Sequence, residues 1–359
     1  MTGSLKPAPH GWIVLDKPAG LGSTQAVAAV KRNLREGGYA KVKVGHGGTL
    51  DPLAEGVLPI ALGEATKLAG RLLDATKTYE FTMSFGEETD TLDAEGEVVS
   101  RSDRRPPKAA IAAILEHFTG EIEQAPPAYS ALKVDGRRAY DRARSGEKVE
   151  LEKRRIVIHE LSFPVRPESV EGLHFTSGEP PKDKGRASTS SARTDLELSS
   201  AFATTAGRPD PFDPAAPLEL AETVTLVATV SKGTYIRALA RDIAHALGTV
   251  AHVTYLRRTK AGPFHQEHAI SLDKLNEIGK GAPLHDLILP LEAGLDDIPA
   301  LNLDPEQAQA VRQGRVVTGM PQPNGLHFAK CRNVPVALVE LNGGTMKVVR
   351  GFNLPDVAE

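Results

Sequence analysis

Alternating apolar segments recur along this chain and give the first indication of its secondary structure. A period of two residues is expected for a β-strand that buries one face. The segments span residues 11–15, 57–63, 79–85, 154–163, 218–230 and 334–341. The pattern therefore predicts a strand in each of these six segments.

Helical periodicity appears in residues 24–36, 107–117 and 236–247. Strands and helices do not alternate regularly, and turn pairs such as Asp135-Gly136 and Asn342-Gly343 are suited to joining neighbouring antiparallel strands. We therefore predict an α+β fold, in which a mixed, largely antiparallel sheet is flanked by helices.

The chain is predicted to have two domains, residues 1–289 and residues 290–359. The second begins where the pattern restarts, with Asp304 placed to cap a helix that runs through Gln313. Residues 177–217 are rich in Pro, Gly, Ser and Thr and poor in large apolar residues, which predicts a mobile surface insertion.

Composition narrows the class of protein. Hydrophobic residues make up 40% and charged residues 25% of the chain, and no apolar run approaches the ~18 residues that span a bilayer. The N-terminus has no apolar signal segment, so we expect a cytoplasmic protein. Cys331 is the single cysteine, which excludes an intramolecular disulfide and a cysteine metal cluster.

Basic residues are concentrated in one part of a chain whose net charge is −3. Residues 133–155 contain nine Lys or Arg against five Asp or Glu, and a second cluster is formed by Arg257, Arg258 and Lys260. Such clusters fit a solvated surface of mixed charge as well as a nucleic-acid surface.

The segment Gly45–Pro59 carries the clearest candidate chemistry. Its four glycines and two prolines predict a tight backbone path that brings the main chain close to another group. Asp51 lies in that path, where Pro52 prevents a regular helix. An isolated Asp-Pro pair more often forms a turn or a helix cap than a catalytic site.

Five motifs resemble the TruB family of bacterial tRNA pseudouridine synthases and favour catalysis at Asp51. They are LDKPAG (15–20), HGGTLDPLAEGVLPIALGEATK (46–67), KTYEF (77–81), APPAYSALKVDGRRAYDRAR (125–144), and SKGTYIRALARDI (231–243) with LRRTKAGPF (256–264). The resemblance covers about residues 11–275 apart from the insertion. Gly47 and Val230 depart from the family, which usually has Thr or Ser and often Cys at these positions.

The resemblance implies that the chain isomerises uridine-55 in the T-loop of tRNA to pseudouridine, with no cofactor. The N1–C1′ bond is broken, the uracil turns, and C5 is joined to C1′. A single carboxylate can serve because the uracil stays in the pocket, unlike the leaving group of a glycosidase. Asp51 could attack C1′ or remove a proton from C2′.

Further site residues follow from the same motifs. Arg237 matches the arginine that pairs with the catalytic aspartate and keeps it ionised, and Tyr79 matches the tyrosine that stacks on the flipped uracil and can assist proton transfer at C5. Substrate-binding positions are matched by His46, which would insert into the RNA loop, and by Lys67, Tyr235 and Leu256.

The basic arm, residues 133–144, gains a function from this resemblance. Its cations would contact RNA phosphates without reading the base sequence. They are Lys133, Arg137, Arg138, Arg142 and Arg144. Residues 290–359 have the size of the small PUA-like RNA-binding domain found in many family members.

Two other functions remain open at this stage. A related class of enzyme shares the Asp51 and SKGTYIR segments but works inside a guide-RNA particle with partner proteins. An RNA chaperone that remodels tRNA, with secondary catalysis, is the second alternative. The bacterial type of sequence favours a stand-alone monomer that acts on the T-arm of tRNA without a membrane or an obligatory protein partner.

Overall fold

The computed structural model of the chain describes residues 4–130, 132–134, 136–147, 149, 151–164 and 219–354. The predicted insertion, residues 177–217, lies outside this range, as does Asp135 of the predicted Asp135-Gly136 turn. Within the described residues the helices are α1 (Ser23–Glu36), α2 (Ala69–Asp74), α3 (Lys108–Ile114), α4 (Ala139–Arg144), α5 (Ile236–Ala246), α6 (Leu272–Gly279) and α7 (Pro305–Arg312).

The strands of the described residues follow the chain from Gly11 to Gly351. They are β1 (Gly11–Lys17), β2 (Val44–His46), β3 (Glu55–Leu62), β4 (Lys77–Phe85), β5 (Glu87–Thr89), β6 (Val98–Arg101), β7 (Gly120–Gln124), β8 (Lys133–Val134), β9 (Arg137–Arg138), β10 (Arg154–Ser162), β11 (Thr223–Val230), β12 (Ala251–Ala261), β13 (Phe264–His265), β14 (Ala300–Asn302), β15 (Val317–Thr318), β16 (Gly325–Cys331), β17 (Val334–Asn342) and β18 (Thr345–Gly351).

Nine of the described strands form one large sheet in the order β1-β3-β12-β4-β11-β10-β7, with β2 and β13 at its margins. All its pairings are antiparallel except the short parallel contact between β3 and β12. The predicted α+β class with a largely antiparallel sheet is confirmed. The central strand β12 was not predicted.

Strand β1 is buried on both faces of the sheet, which explains its continuous apolar run. Ile13 and Leu15 pack into a core with α1, α5 and α6. Trp12 and Val14 pack into a second core on the opposite face, where the Trp12 ring meets Phe264 at 5.2 Å. A strand covered on both sides has no need for alternating polar residues.

The C-terminal part of the chain contains a five-stranded sheet in the order β14-β16-β17-β18-β15, which is consistent with a PUA-like domain. Its α7 begins as predicted, because the Asp304 carboxylate accepts a hydrogen bond from the Gln307 N–H at 2.8 Å. The predicted Asn342-Gly343 turn joins β17 to β18. This sheet has its own core and also contributes Phe328 and Phe352 to the core around Trp12.

Candidate active site

Asp51 lies in a cleft of about 210 Å³ between the loop after β2, the start of β4 and the start of α5. We call this cavity the Asp51 cleft. Tyr79, Tyr235 and Arg237 line it together with Asp51, as do residues 230–234. Its volume is below the ~300–1,000 Å³ of pockets for drug-sized ligands, so it suits a single base. The sequence placed these four residues in one site, and the structure brings them together.

Arg237 forms an ion pair with Asp51. One guanidinium nitrogen of Arg237 lies 2.8 Å from Oδ2 of Asp51, and the two side chains are 6% and 44% exposed. Oδ1 of Asp51 has no hydrogen-bond partner among the described residues. The aspartate is therefore anchored through one oxygen and retains a free oxygen at an accessible position.

A second carboxylate, that of Asp93, fixes Arg237 from the other side. It lies 3.0 Å from the guanidinium and is only 3% exposed. Backbone carbonyls of Thr91 and Tyr129 accept two further hydrogen bonds from Arg237, at 2.7 and 3.0 Å. The two terminal nitrogens of the Arg237 guanidinium therefore make four contacts, and these fix the orientation of the side chain.

Sequence reasoning missed Asp93. It lies in the acidic turn between β5 and β6, which has the composition of an ordinary exposed hairpin loop. The Asp93 carboxylate accepts hydrogen bonds from the Thr91 hydroxyl at 2.6 Å and from the Glu95 N–H at 3.0 Å. These contacts hold the acid inside the protein, where a local sequence pattern could not place it.

Buried cations hold the backbone around Asp51. Arg258, 1% exposed, donates hydrogen bonds to the carbonyls of Val57, Thr49 and Gly48 at 2.8, 3.1 and 3.4 Å. Lys17, fully buried, donates to the Pro52 carbonyl at 3.2 Å. The loop is thus clamped on both sides of the aspartate, which pre-organises it.

Ser23 at the start of α1 adds a further contact to this loop. Its hydroxyl accepts a hydrogen bond from the Leu50 N–H at 2.7 Å and lies 2.9 Å from the Leu50 carbonyl, to which it donates. The N–H and the carbonyl of Leu50, the residue directly before Asp51, are therefore both hydrogen-bonded to the Ser23 side chain. This contact was not predicted from the sequence.

The glycines of the segment allow the close backbone approach that the sequence predicted. Gly56 has a φ of 99°, and a Cβ there would lie 2.3 Å from the carbonyl oxygen of Arg258. Any other residue would force β3 away from β12. Since Arg258 also clamps the loop, Gly56 sets the position of that cation relative to Asp51.

The electrostatic character of the Asp51 cleft is cationic. Among the described residues that line it, Asp51 is the one acidic side chain, and Lys77, Lys232, Arg237 and Arg258 are basic. Burial and then the charge of Arg258 lower the pKa of Lys77 to about 8. Its ammonium donates to the carbonyls of Leu73 and Ala75 at 2.7 and 2.6 Å. Such a cleft attracts an anionic ligand.

The other predicted substrate-binding residues lie at different distances from the cleft. Tyr235 lines it, and burial raises the pKa of its phenol, so the ring remains neutral. His46 lies just outside, where its Nδ1 accepts a hydrogen bond from the Gly48 N–H at 3.3 Å. Burial and the nearby Arg258 lower the pKa of His46, which favours a neutral ring that can stack on a base.

Leu256 and Lys67 are not among the residues that line the cleft. Leu256 is 5% exposed and packs in the core on β12, opposite Phe81 of β4. Lys67 forms an ion pair with Glu64 at 2.6 Å and donates to the Gly351 carbonyl at 2.8 Å. The structure therefore gives Leu256 a packing contact and Lys67 a contact with the C-terminal sheet.

The basic arm forms the β8–β9 hairpin followed by α4. Lys133 and Arg138 are backbone partners in the hairpin. Arg137 and Arg142 form ion pairs with Glu147 at 3.2 and 2.7 Å.

Arg144 is exposed, and its guanidinium lies 4.7 Å from the Tyr140 ring centre. The arm adjoins the site through Tyr129, whose ring contacts Tyr140 and whose carbonyl accepts from Arg237.

The described residues contain neither a metal-binding cluster nor a membrane-spanning helix. No group of three or more His, Cys, Asp or Glu side chains in this part of the chain is arranged to hold a metal ion. No helix among the same residues is both long and apolar enough to cross a bilayer.

Comparisons with known families match two parts of the chain. Residues 35–171 match the TruB family pseudouridylate synthase N-terminal domain. Residues 237–296 match the tRNA pseudouridylate synthase B C-terminal domain. The first range contains Asp51, Tyr79 and the basic arm, and the second begins at Arg237.

Similar proteins cover nearly the whole chain. A tRNA pseudouridine synthase B of Novosphingobium aromaticivorans is 59% identical over 97% of this chain and 99% of its own length. One from Zymomonas mobilis is 49% identical over 98% of this chain and 99% of its own length.

Solved structures show the same fold at lower identity. A chain from an H/ACA RNP bound to a substrate RNA containing 2′-deoxyuridine aligns with a TM-score of 0.61 at 23% identity, covering 97% of this chain and 86% of that one. A chain from an archaeal box H/ACA sRNP complex aligns with a TM-score of 0.60 at 23% identity, covering 97% and 87%.

Proposed function

This chain belongs to the TruB family of pseudouridylate synthases, and from that premise we propose that it is a tRNA pseudouridine synthase whose chemistry takes place at Asp51. The target we propose is uridine-55 in the T-loop. The observation that carries the assignment of Asp51 is its ion pair with the buried Arg237, which leaves one carboxylate oxygen free in a cleft of nucleobase size.

The first step is extrusion of the uridine from its stack. A base inside folded RNA cannot reach Asp51, and flipping it out costs a few kcal/mol that protein contacts must offset. His46 at the edge of the Asp51 cleft is suited to fill the space that the base leaves. Tyr79 and Tyr235 supply aromatic surface for the flipped uracil.

The isomerisation starts from the free oxygen of Asp51. In one route this oxygen attacks C1′, the N1–C1′ bond breaks, and the bonding electrons remain on the uracil. After the uracil turns, C5 bonds to C1′ and displaces the carboxylate, the proton on C5 leaves, and N1 takes up a proton, so that the product is an isomer of the substrate. In the other route Asp51 first removes the C2′ proton, so that the N1–C1′ bond breaks and a C1′=C2′ double bond forms; the proton returns to C2′ when C5 bonds to C1′. Both routes need an ionised carboxylate held in a fixed orientation, which Arg237 and Asp93 provide.

The part of the RNA that stays outside the Asp51 cleft would be bound by basic residues of the protein. The basic arm would follow the phosphates, with Arg144 exposed for this contact and Arg137 and Arg142 exchanging Glu147 for phosphate. Lys67 and the C-terminal sheet extend the binding surface. Recognition is then mainly of the shape of the T-arm. We propose a monomer that works in the cytoplasm without a protein partner.

Pseudouridine mapping tests this function. The purified chain is incubated with an unmodified tRNA transcript and with an isolated T-arm stem-loop, and each position is read for pseudouridine. We expect conversion at position 55 in both RNAs, without guide RNA or added protein. Conversion that required a guide RNA would favour the guide-RNA class instead, and an unmodified T-loop would contradict the proposal.

A further inference from the structure

A second cavity lies on the surface near the N-terminal end of the chain, away from the residues that line the Asp51 cleft. It is a groove of about 990 Å³ between the C-terminal half of α1 and residues 39–44, with Leu5 beside it. We call it the cationic groove. Its rim is formed by four exposed basic residues, which are Lys31, Arg35, Lys41 and Lys43.

The charges of the cationic groove are uncompensated. None of its four basic side chains forms an ion pair among the described residues, and no acidic residue lines the groove. Lys6, next to Leu5, adds a fifth cation, which lies 4.7 Å above the Tyr39 ring. Because the chain as a whole carries a net charge of −3, this concentration of positive charge singles out a polyanion as the occupant.

The floor of the groove is apolar and well fixed. Leu34 and Val44 are 4% and 8% exposed and belong to the main core. Tyr39 packs against that core, and its hydroxyl accepts a hydrogen bond from the Leu284 N–H at 3.2 Å. Leu5 is 67% exposed beside the groove. An apolar floor below a basic rim suits nucleotides whose bases or riboses lie on the floor while their phosphates meet the rim.

Double-stranded RNA does not fit this description, because its bases are stacked and paired and it presents mainly phosphates and riboses. An unpaired RNA segment presents both kinds of surface. The groove therefore has the chemistry of a binding site for unpaired nucleotides.

The position of the groove connects it to the catalytic site. The chain runs from Val44 in the groove to His46 in two residues of extended strand, a distance of roughly 7 Å. His46 contacts Gly48 of the Asp51 cleft. RNA that places a uridine at Asp51 thus comes within reach of the groove.

We propose that the cationic groove binds an unpaired segment of the substrate tRNA other than the T-loop. This inference rests on the proposed function, since it takes tRNA as the substrate. The groove would add contacts to a whole tRNA that an isolated T-arm cannot make, because only the whole tRNA carries further unpaired nucleotides.

The test compares the double variant Lys41→Ala/Lys43→Ala with wild type. The control is Arg32→Ala/Lys280→Ala, which removes one exposed cation from α1 and one from the residue after α6, both outside the groove. Dissociation constants are measured for whole tRNA and for the T-arm stem-loop between 50 and 200 mM salt. Thermal unfolding checks that each variant is folded.

We expect the groove variant to bind whole tRNA on the order of tenfold more weakly, with the salt slope reduced by about 2. The effect on the stem-loop should be clearly smaller, and the control should resemble wild type. Unchanged binding of whole tRNA by the groove variant would overturn the inference, as would equal weakening for both RNAs. Loss of binding to poly-glutamate with tRNA binding intact would assign the groove to an acidic protein instead.

The proposed catalytic function is tested by a separate measurement, the modification of the T-arm stem-loop by the wild-type protein. Wild-type protein that left the T-arm stem-loop unmodified would contradict the catalytic assignment, whatever the binding constants of the groove variant.

Discussion

Replacing Arg237 by lysine separates the charge of this residue from its geometry. The guanidinium uses two nitrogens to contact Asp51 and Asp93 and also two backbone carbonyls. Lysine keeps the positive charge but has a single nitrogen, so it cannot hold both carboxylates in their present positions. The Asp51 carboxylate would then no longer be held in a fixed orientation, although a positive charge would remain nearby.

The size of the effect follows from the contact that is lost. A hydrogen bond to a charged group contributes about 1.5–3 kcal/mol, and ~1.4 kcal/mol corresponds to a factor of ten in rate. Loss of the 2.8 Å ion pair with Asp51, taken at the same energy as such a hydrogen bond, would lower kcat about 10- to 150-fold. Asp51 is 44% exposed, so solvent screening moves the expectation toward the lower end of this range.

Single-turnover conversion of tRNA, measured beside the dissociation constant, is the appropriate assay. We expect kcat to fall while tRNA affinity stays within about threefold, because Arg237 is 6% exposed and offers little surface to RNA. Arg241→Lys, one turn later on α5, is the matched control and should keep its rate. A folded Arg237→Lys enzyme with kcat within threefold of wild type would show that the guanidinium geometry does not matter for catalysis.

Three further predictions concern the surroundings of Asp51 and the basic arm. Arg258→Met leaves three backbone carbonyls without their hydrogen-bond donor and should lower the free energy of unfolding, measured by urea denaturation, by about 3 kcal/mol. A loss below ~1 kcal/mol would mean that the hydrogen bonds from Arg258 are unimportant for stability. Burial lowers the pKa of Lys17 from 10.5 to about 8, so between these pH values the unfolded chain binds more protons than the folded chain. The free energy of unfolding of the wild type should therefore rise relative to that of Lys17→Met between pH 8 and 10.5, by at most ~1.4 kcal/mol per pH unit. A difference that stays constant with pH would disprove this. Arg144→Ala should reduce the slope of log affinity for tRNA against log salt by about 1, and an unchanged slope would remove this residue from the RNA surface.

Much of the fold was predictable because local patterns were strong. The apolar runs of β1 and β3 and the Asp304 cap predicted elements that the structure contains. Strand β12 was missed because its sequence includes Arg257, Arg258 and Lys260, which resemble a solvated surface. Arg258 is instead buried against backbone carbonyls, and a burial of this kind depends on distant parts of the chain.

The site was predictable in part for the same reason. The motifs identified Asp51, Tyr79, Tyr235 and Arg237, which line one cleft. They gave no reason to select Asp93, because its burial depends on a turn that folds back onto α5. Leu256 matches a pocket-lining position of the family, for which packing and function are compatible, and its side chain packs in the core on the covered face of β12.

The role of Asp51 can be tested by one substitution that keeps its shape. Asp51→Asn preserves the volume of the side chain but removes the anionic oxygen that both proposed routes require. Asp74→Asn changes an exposed carboxylate on α2 and serves as the control.

The decisive measurement is pseudouridine formation in a T-arm stem-loop by the Asp51→Asn protein, with binding measured in parallel. We expect that the RNA is bound with affinity close to that of wild type and that no pseudouridine forms. Pseudouridine produced by this variant would show that another group performs the chemistry and that Asp51 is not the catalytic carboxylate.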